Sequence, residues 1–327
     1  MHKHTSDHTI FYERGPVGVL LIHGLAGTPV EMRDTARRLA AGGHTVLCCQ
    51  LAGHCGTEED LIATTFEDWY QSAMQGIERL EKHCSRILVG GLSMGAVLAG
   101  LVAARQPKRV HGLMMLAPTL TYDGWSIPKY SFLLRIAMQT PLGRYYRFEE
   151  REPYGLKCER ARAMIAYAMK FGNSSEAGLL STPALAVREL WRLTAALKPM
   201  LPQVKQRTLV IQSRIDDVAS LKNMMTLQRK LGGLVDTMVL DDCYHVITID
   251  HQRDLVGERC VEFANRFARQ IAGEAPIAVP LRAAEKTSQA PAALPEQAGP
   301  GSRLATSGVI PAGIATAQEL GMRLMSL

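Results

Sequence analysis

The sequence predicts an α/β protein, with a mainly parallel sheet flanked by helices and a helical insertion between two strands. Three observations support this fold class. Short apolar runs, of the kind buried on both faces of a parallel sheet, alternate with segments of helical pattern. The alternation breaks at about residue 119 and resumes at about residue 206. After residue 274 it gives way to a tail rich in Ala, Pro, Gly and Ser.

These changes of pattern divide the chain of 327 residues into four parts. We predict an N-terminal segment over 1–15, a main α/β domain made of 16–118 and 206–274, a helical cap over 119–205, and a disordered tail over 275–327. Because both parts of the main domain contribute strands to one sheet, the cap is an insertion and not a second domain in tandem.

The first strand and helix carry clear sequence signals. Residues 17–23 form a continuous apolar run, which predicts a buried strand. A helix follows, since Thr28 is a suitable N-cap, Pro29 suits the first helical position, and Glu31 would complete a capping box. Two glycines end this helix.

The remaining elements of the main domain follow in chain order. Strands are predicted at 45–51, 86–90, 110–117, 207–213 and 237–240. Helices are predicted at 66–83, 94–105, 221–232 and 252–271. The last helix has apolar residues at helical spacing on one face: Val256, Cys260, Phe263, Phe267 and Ile271. Within 119–205 the pattern is helical and irregular, without a convincing buried strand.

Composition and charge exclude several function classes. The chain is 47% hydrophobic and carries a net charge of +6 without a run of Lys or Arg, so we expect no nucleic-acid partner. The N-terminus lacks the apolar region of a signal peptide, and no apolar stretch is long enough to span a bilayer, so we expect no stable membrane insertion. Seven cysteines without a C-x-x-C pair indicate a reduced, cytoplasmic location.

Neither a metal nor a cofactor is predicted. His2, His4 and His8 have side chains that can bind a metal ion. An unstructured and functionally silent terminus accounts for them equally simply, and we favour that interpretation.

One motif predicts a nucleophile. Gly91-Leu92-Ser93-Met94-Gly95 matches G-x-S-x-G and lies between a predicted strand and a predicted helix, which is the context that a nucleophile elbow requires. Small residues two before and two after the serine are needed because the strand and the helix pass close together. The tight turn would expose the Ser93 hydroxyl at a helix N-terminus, where the helix dipole favours negative charge.

A second loop has the composition expected of an oxyanion hole. His23-Gly24-Leu25-Ala26-Gly27 directly follows the first strand. Acyl transfer produces a tetrahedral oxyanion, and two backbone N–H groups must point at it beforehand. We assign these donors to Met94, which follows the nucleophile, and to Leu25. The alternative is a flexible turn without function. We expect His23 to support the loop and not to act as a base.

A base and an acid follow the nucleophile in the order that this chemistry requires. Arg214-Ile-Asp216-Asp217 comes directly after the strand predicted at 207–213, and Tyr244-His245 comes after the strand at 237–240. His245 can take the proton of Ser93 and return it to the leaving group. An aspartate is needed to fix the tautomer of the imidazole and to stabilise the imidazolium.

With these residues in place, the chain resembles the bacterial carboxylesterases and monoacylglycerol-lipase-like hydrolases of the α/β-hydrolase superfamily, over roughly 17–270. Tyr244-His-Val-Ile-Thr-Ile-Asp250 is similar to the segment Gly-His-Val-Ile-Thr-Leu-Asp around the catalytic histidine of small thermostable carboxylesterases. Those enzymes also carry Arg-x-Asp before it, similar to Arg214-Ile-Asp216. The resemblance implies an α/β-hydrolase catalytic domain and makes Asp216 the triad acid, with Asp217 where these esterases carry Glu.

The chain departs from that family at two positions. Gly53-His54-Cys55-Gly56 is similar to the family's Gly-His-Gly loop, but Cys55 replaces the last glycine. Tyr244 stands where the family has a glycine before the histidine, and we expect it to narrow the entrance of the site.

The family places a helical cap where this chain has its insertion. Aromatic residues concentrate in that insertion: Tyr122, Trp125, Tyr130, Phe132, Tyr145, Tyr146, Phe148, Tyr154, Tyr167, Phe171 and Trp191. Some must form the cap's own core, and the others are candidates to line an apolar acyl pocket. Four basic residues could tolerate an anionic head group, although a merely solvated face explains them equally well: Lys129, Arg135, Arg144 and Arg147.

The leading hypothesis is a serine hydrolase that cleaves carboxylic esters through an acyl-enzyme on Ser93. Its expected substrates are small molecules with an apolar acyl chain, namely short- or medium-chain esters or monoacylglycerols. The alternatives are an acyltransferase, a thioesterase or an amidase with the same triad, because all of these share the acyl-enzyme. A non-catalytic binding module on this scaffold is a third hypothesis, and the intact Ser93, Asp216 and His245 argue against it. The sequence leaves the oligomeric state open.

Overall fold

The structure is a computed structural model that describes residues 7–127, 145–149, 151–171, 174 and 178–273. The strands of the described part are β1 (Ile10–Tyr12), β2 (Val17–Ile22), β3 (Thr45–Cys49), β4 (Arg86–Leu92), β5 (Gly112–Leu116), β6 (Arg147–Glu149), β7 (Ser181–Pro183), β8 (Arg207–Ser213) and β9 (Val235–Leu240). Its α-helices are α1 (Arg33–Ala41), α2 (Glu58–Ile62), α3 (Phe66–Glu81), α4 (Met94–Arg105), α5 (Glu159–Phe171), α6 (Ala184–Leu197), α7 (Lys222–Lys230) and α8 (Arg253–Ile271). Short 3₁₀ helices cover Pro29–Met32 and Lys198–Gln203.

Seven strands form one sheet in the order β1-β3-β2-β4-β5-β8-β9. Strand β1 runs antiparallel to β3, and every other neighbouring pair is parallel. The predicted mainly parallel sheet is thereby confirmed. Because β5 and β8 are neighbours, the long segment that joins them is inserted at the carboxyl edge of the sheet.

Helices cover both faces of this sheet, and each face has its own apolar core. One core contains Leu20, Leu47, Ile77, Val97 and Leu193, from strands β2 and β3 and from helices α3, α4 and α6. The other contains Leu21, Met32, Leu39, Phe263 and Phe267, and it lies under α1 and α8. Alternate residues of β2 therefore point into different cores, because side chains of a strand alternate between faces.

Helix α4 is enclosed on all sides. Residues 94–104 are all buried, which agrees with a helix that is apolar around its whole circumference. The helix lies between the sheet and the cap helix α6, and Gly100 approaches the side chain of Leu197. This enclosure fixes the position of Ser93, which directly precedes the helix.

The structure differs from the sequence-based expectations at several elements. The N-terminal segment contributes β1, whose three residues are too few to show the alternation of apolar and polar residues that predicts a strand. The insertion contains a small antiparallel pair, β6 and β7, where no strand is expected. Each of these strands has three residues, too few to produce an alternating apolar pattern in the sequence.

The predicted capping box at the first helix is wrong. The chain enters α1 through a 3₁₀ turn, in which Thr28 Oγ1 accepts a hydrogen bond from the N–H of Val30 (3.3 Å). The Glu31 carboxylate accepts instead from the N–H of Gly24 (2.9 Å), because the preceding loop folds back within its reach.

The tail predicted at 275–327 lies outside the described residues, as do His2 and His4. Among the helices of the described ranges, none combines the length and the apolar character needed to cross a bilayer.

Candidate active site

Ser93 lies in a sharp turn between β4 and α4. Its backbone is in the left-handed region (φ 56°, ψ −115°), which a residue with a side chain rarely adopts. The two glycines of the motif permit this turn through close packing. A Cβ on Gly91 would lie 2.4 Å from the carbonyl of Gly95, and one on Gly95 would lie 2.2 Å from the carbonyl oxygen of Ile22.

The structure brings Ser93, His245 and Asp216 into hydrogen-bonding contact. Ser93 Oγ lies 2.8 Å from Nε2 of His245. Nδ1 of the same ring lies 2.9 Å from Oδ2 and 3.0 Å from Oδ1 of Asp216. These three residues follow the carboxyl ends of β4, β8 and β9, which meet at one edge of a parallel sheet.

Asp216 is held by more than the histidine. Its Oδ1 accepts hydrogen bonds from the N–H groups of Val218 and Ala219, each at 2.8 Å, and its Oδ2 accepts from Nε2 of Gln212 (2.8 Å). Asp217 faces the main chain, since its Oδ1 accepts from the N–H of His245 (3.1 Å). The two aspartates therefore contact different atoms of the same residue.

The surrounding charges raise the pKa of His245. Burial alone would lower this pKa, but the charge and hydrogen bond of Asp216 outweigh it, and the charges of Asp217 and Glu31 add to the effect. Burial in turn raises the pKa of Asp217. The imidazole is thus prepared to accept a proton, because its cationic form is stabilised.

The loop at 24–27 lies beside the nucleophile. A Cβ placed on Gly24 would be 3.8 Å from Cβ of Ser93. The loop closes as a turn in which the N–H of Gly27 donates to the carbonyl of Gly24 (3.2 Å) and Ala26 adopts a positive φ of 57°. Within the described ranges, the N–H groups of Leu25 and Met94 donate no backbone hydrogen bond, so both remain candidate donors to an oxyanion.

Three contacts hold this loop. Glu31 bonds the N–H of Gly24, as described above, and its Oε1 occupies the place where a Cβ on Gly27 would lie. The N–H of Leu179, from the cap, donates to the carbonyl of Ala26 (3.1 Å). The third contact comes from His23, whose Nδ1 lies 2.9 Å from the carbonyl of Gly24.

His23 supports the loop as a neutral imidazole. Its Nε2 accepts a hydrogen bond from the N–H of Leu51 (3.3 Å), so Nδ1 carries the proton and donates to Gly24. Burial, together with the charge of His54, lowers the pKa of His23 to about 3. A proton on both ring nitrogens would leave the Leu51 N–H without its acceptor.

Both departures from the resembled family have a structural account. Cys55 is buried and adopts a positive φ of 65°, so it holds the conformation that a glycine would adopt without strain. Tyr244 packs its ring edge-on against Trp125, with ring centroids 5.5 Å apart. Trp125 also donates from Nε1 to the carbonyl of Ile215 (2.9 Å), so the start of the cap lies over the loops that carry the aspartates and the histidine.

An apolar cluster joins the cap to the loop at 24–27. Ala184 and Val187 of α6 are buried, and they pack against Leu25 together with three aromatic residues of the insertion: Tyr122, Phe148 and Trp191. Other aromatics of the insertion are exposed, including Tyr145 and Tyr167. Tyr130 and Phe132 lie outside the described residues, and so do Lys129, Arg135 and Arg144.

Sequence reasoning missed two residues of this site. Thr119 follows β5, and its Oγ1 lies 3.1 Å from Ser93 Oγ. Glu31 reaches the loop from the next helical turn, whereas the sequence suggested only a cap. Thr119 could have been identified from the sequence. It follows β5, the parallel neighbour of β4, and therefore lies at the same edge of the sheet as Ser93. The described residues contain no group of three or more His, Cys, Asp or Glu arranged to hold a metal ion.

Comparison with known proteins agrees with this geometry. The family model described as serine aminopeptidase, S33, matches residues 17–252. The thermostable monoacylglycerol lipase of Bacillus sp. (strain H-257) is 31% identical over 260 residues, which cover 79% of this chain and 94% of that protein. The carboxylesterase of Bacillus subtilis (strain 168) is 25% identical over 260 residues, covering 78% of this chain and 95% of that protein.

Solved structures show the same fold. A metagenome-derived lipolytic enzyme is 27% identical, with a TM-score of 0.67 over 79% of this chain and 96% of that one. The monoacylglycerol lipase of Paleococcus ferrophilus shares the fold, with a TM-score of 0.65 at 15% identity, over 80% of this chain and 98% of that one. The predicted fold, the predicted resemblance and the prediction of a carboxylic ester hydrolase are confirmed. The chain therefore belongs to the serine aminopeptidase family of α/β-hydrolases, among enzymes of the carboxylesterase and monoacylglycerol-lipase type.

Proposed function

We propose that this hydrolase cleaves carboxylic esters through an acyl-enzyme on Ser93, with His245 as general base and Asp216 as the third member of the triad. The observation that carries the proposal is the continuous chain of hydrogen bonds from Ser93 Oγ through the His245 imidazole to the Asp216 carboxylate. Nucleophile, base and orienting acid within such reach of one another are the signature of covalent acyl transfer.

The expected steps use only residues of the chain and water. Nε2 of His245 takes the proton of Ser93 as Oγ attacks the ester carbonyl carbon, and the N–H groups of Leu25 and Met94 stabilise the oxyanion. The imidazolium then protonates the leaving alcohol. Water, activated by the same imidazole, attacks the acyl-enzyme and releases the carboxylic acid.

The substrate preference that we propose is a short- or medium-chain acyl group, on a simple alcohol or on glycerol. Leu25 supports it, because we assign its N–H as an oxyanion donor and its side chain joins the apolar cluster with Val187 and Trp191. An acyl chain whose carbonyl oxygen sits at the Leu25 N–H would extend beside this cluster. Two similar proteins are named as a monoacylglycerol lipase and a carboxylesterase, which agrees with such substrates.

The same triad would also serve amide or thioester cleavage and acyl transfer. The family description names an aminopeptidase, so an amide is the first alternative to test. Esters are favoured on chemical grounds, since the amide bond has stronger resonance stabilisation than the ester bond and its nitrogen must be protonated before it can leave.

The test is covalent labelling combined with hydrolysis assays. A fluorophosphonate should label Ser93, and Ser93→Ala should abolish labelling and lower kcat by up to about a million-fold. Ser85→Ala, exposed at the opposite end of β4, is the matched control and should retain full activity. Rates for p-nitrophenyl esters, monoacylglycerols and matched anilides would rank the substrates. Substantial turnover by Ser93→Ala would refute the proposal, and anilides cleaved faster than esters would replace it with an amidase.

A further inference from the structure

A second hydroxyl contacts the nucleophile. Thr119 is 1% exposed, and its Oγ1 lies 3.1 Å from Ser93 Oγ and 3.3 Å from the carbonyl oxygen of Ala117. The triad chemistry described above gives this threonine no part. Yet in the described structure Ser93 Oγ has two polar side-chain partners, and Thr119 is the one other than the base.

The sheet fixes the position of Thr119 firmly. Strands β4 and β5 are parallel neighbours, with Leu92 opposite Leu116. Beyond these residues, the N–H of Ser93 donates to the carbonyl of Leu116 (2.9 Å). Ala117 then adopts a positive φ of 44°, a conformation that turns the chain back toward the nucleophile. Both side chains are therefore positioned by one pair of strand ends.

The direction of the hydrogen bonds follows from the number of protons. The Asp216 carboxylate facing Nδ1 places the imidazole proton there, so Nε2 is the acceptor and the Ser93 hydroxyl donates to it. The lone pairs of Ser93 Oγ can then accept a hydrogen bond. The Thr119 hydroxyl has one proton, and Ser93 Oγ is the nearer of its two acceptors.

We propose that Thr119 is a catalytic residue that donates a hydrogen bond to Ser93 Oγ and stabilises the negative charge on this oxygen in both transition states. The inference rests on the proposed function, since it needs Ser93 as nucleophile. A hydrogen bond to an oxygen that becomes negative is stronger than one to a neutral hydroxyl, so the contact favours the transition state over the ground state.

The proton and electron balance is the same in each half-reaction. In acylation the O–H bond of Ser93 breaks, its proton moves to Nε2 of His245, and the freed electron pair forms the Oγ–C bond. The imidazolium then protonates the alcohol as the ester C–O bond breaks. In deacylation Nε2 takes a proton from water, and the water oxygen bonds to the acyl carbon. The C–Oγ bond then breaks, its electron pair returns to Oγ, and the imidazolium gives its proton to that oxygen. Thr119 keeps its own proton throughout and acts only as a donor.

A purely structural role for Thr119 makes a different prediction. In that case its hydroxyl would serve only the carbonyl of Ala117, and its loss would affect folding stability and not turnover. Thr208 provides the matched control. It is also buried, and its Oγ1 donates to the carbonyl two residues earlier, that of Gln206 (3.1 Å). It lies at the start of β8, at the sheet edge opposite the site.

The experiment compares Thr119→Val, Thr119→Ser and Thr208→Val by steady-state hydrolysis and by the rate of fluorophosphonate labelling. Valine keeps the branched shape of threonine without its hydroxyl, and serine keeps the hydroxyl. We expect Thr119→Val to lower kcat and the labelling rate about tenfold, or about 1.4 kcal/mol, with an unchanged KM. Thr208→Val should stay within about twofold of the wild type, and Thr119→Ser should recover most of the activity that Thr119→Val loses.

Several outcomes would overturn the inference. One is an unchanged kcat in a folded Thr119→Val protein. Another is an equal loss of kcat in the valine and serine variants, because altered packing would then explain the loss. If the valine variant does not fold, Thr119→Ala against Thr119→Ser makes the same comparison. Activity that survives Ser93→Ala would remove the proposed function itself. If Ser93→Ala abolishes activity but Thr119→Val leaves kcat unchanged, only the inference about Thr119 is refuted.

Discussion

Asp216 and Asp217 are adjacent in the chain but contact different atoms of the same histidine. Asp216 faces the imidazole through Nδ1, and Asp217 faces the backbone N–H of His245. The first contact favours the tautomer that leaves Nε2 free to accept a proton, whereas the second holds the loop in place. One residue of offset thus separates a contact with the imidazole ring from a contact with the backbone.

Replacing each aspartate by asparagine should reveal this difference. We expect Asp216→Asn to lower kcat by roughly ten-thousandfold, since its amide N–H₂ can favour the wrong tautomer of His245. Asp217→Asn keeps an oxygen for the backbone N–H and should cost less than about tenfold. Steady-state kinetics at pH 8 would measure both. Equal losses of kcat in the two variants would contradict the assignment of Asp216. A larger loss in Asp217→Asn would make Asp217 the triad acid.

The charges around His245 predict the pH dependence of activity. The base must be neutral to accept a proton, so kcat/KM should fall tenfold for each pH unit below its pKa. Because the net shift raises the pKa of His245, the acid limb should have its midpoint above the ordinary value of about 6.5. Asp217→Asn removes a negative charge and should move the midpoint to lower pH. A wild-type midpoint below about 6 would contradict this account.

At the scale of secondary-structure elements, one buried carboxylate joins the cap to the loop of His245. Asp250 is fully buried and accepts hydrogen bonds from four backbone N–H groups. Two belong to its own loop, Tyr244 (2.7 Å) and His251 (2.9 Å), and two to the segment before α5, Lys157 (2.8 Å) and Cys158 (2.7 Å). A carboxylate suits this place because it accepts from many directions and donates to none.

Asp250→Asn should therefore destabilise the protein. The amide keeps one acceptor oxygen and turns an N–H₂ group toward backbone donors, so about half of the hydrogen bonds are lost in a buried place. We expect the free energy of unfolding to fall by about 2–4 kcal/mol, measured by urea denaturation. Asp254→Asn, at an exposed ion pair with Arg38, should change it by less than about 0.5 kcal/mol. Similar values for both variants would show that the four contacts contribute little.

At the scale of the whole molecule, the insertion between β5 and β8 packs against the loop at 24–27, which lies beside Ser93. The sheet edge carries Ser93, His245 and Asp216, while α6 brings Val187 and Trp191 against Leu25. Deleting the cap would also uncover α4, which α6 covers. A substitution within the cluster is thus a cleaner probe of its role than a deletion.

The acyl-chain preference should depend on this cluster. Each buried methylene adds about 0.8 kcal/mol, close to fourfold in kcat/KM, until the chain fills the pocket. We expect kcat/KM to rise from acetyl to butyryl and hexanoyl esters, and to fall by palmitoyl. Val187→Phe should lower the value for octanoyl relative to butyryl esters, with the butyryl ester as internal control. A flat series, or one that peaks at acetyl, would mean that these aromatics serve only the cap's own core.

Much of the fold could be predicted because its signals are local. The buried strands are short apolar runs, and every predicted strand has a counterpart in the sheet. The strands that were missed have weak local signals, since β1, β6 and β7 have only three residues each. The capping box failed because Glu31 has a better partner, the N–H of Gly24, in a loop that only the folded chain brings near.

By itself, the sequence determined the order of strands and helices, the elbow around Ser93, and the residue types able to act as base and acid. Apolar periodicity, glycine spacing and chain order express these features within short windows. The tertiary structure decided which aspartate faces Nδ1 of His245, which aromatics meet Leu25, and that Thr119 touches the nucleophile. Those contacts join residues far apart in the chain, and they arise because parallel strands bring their carboxyl ends to one edge of the sheet.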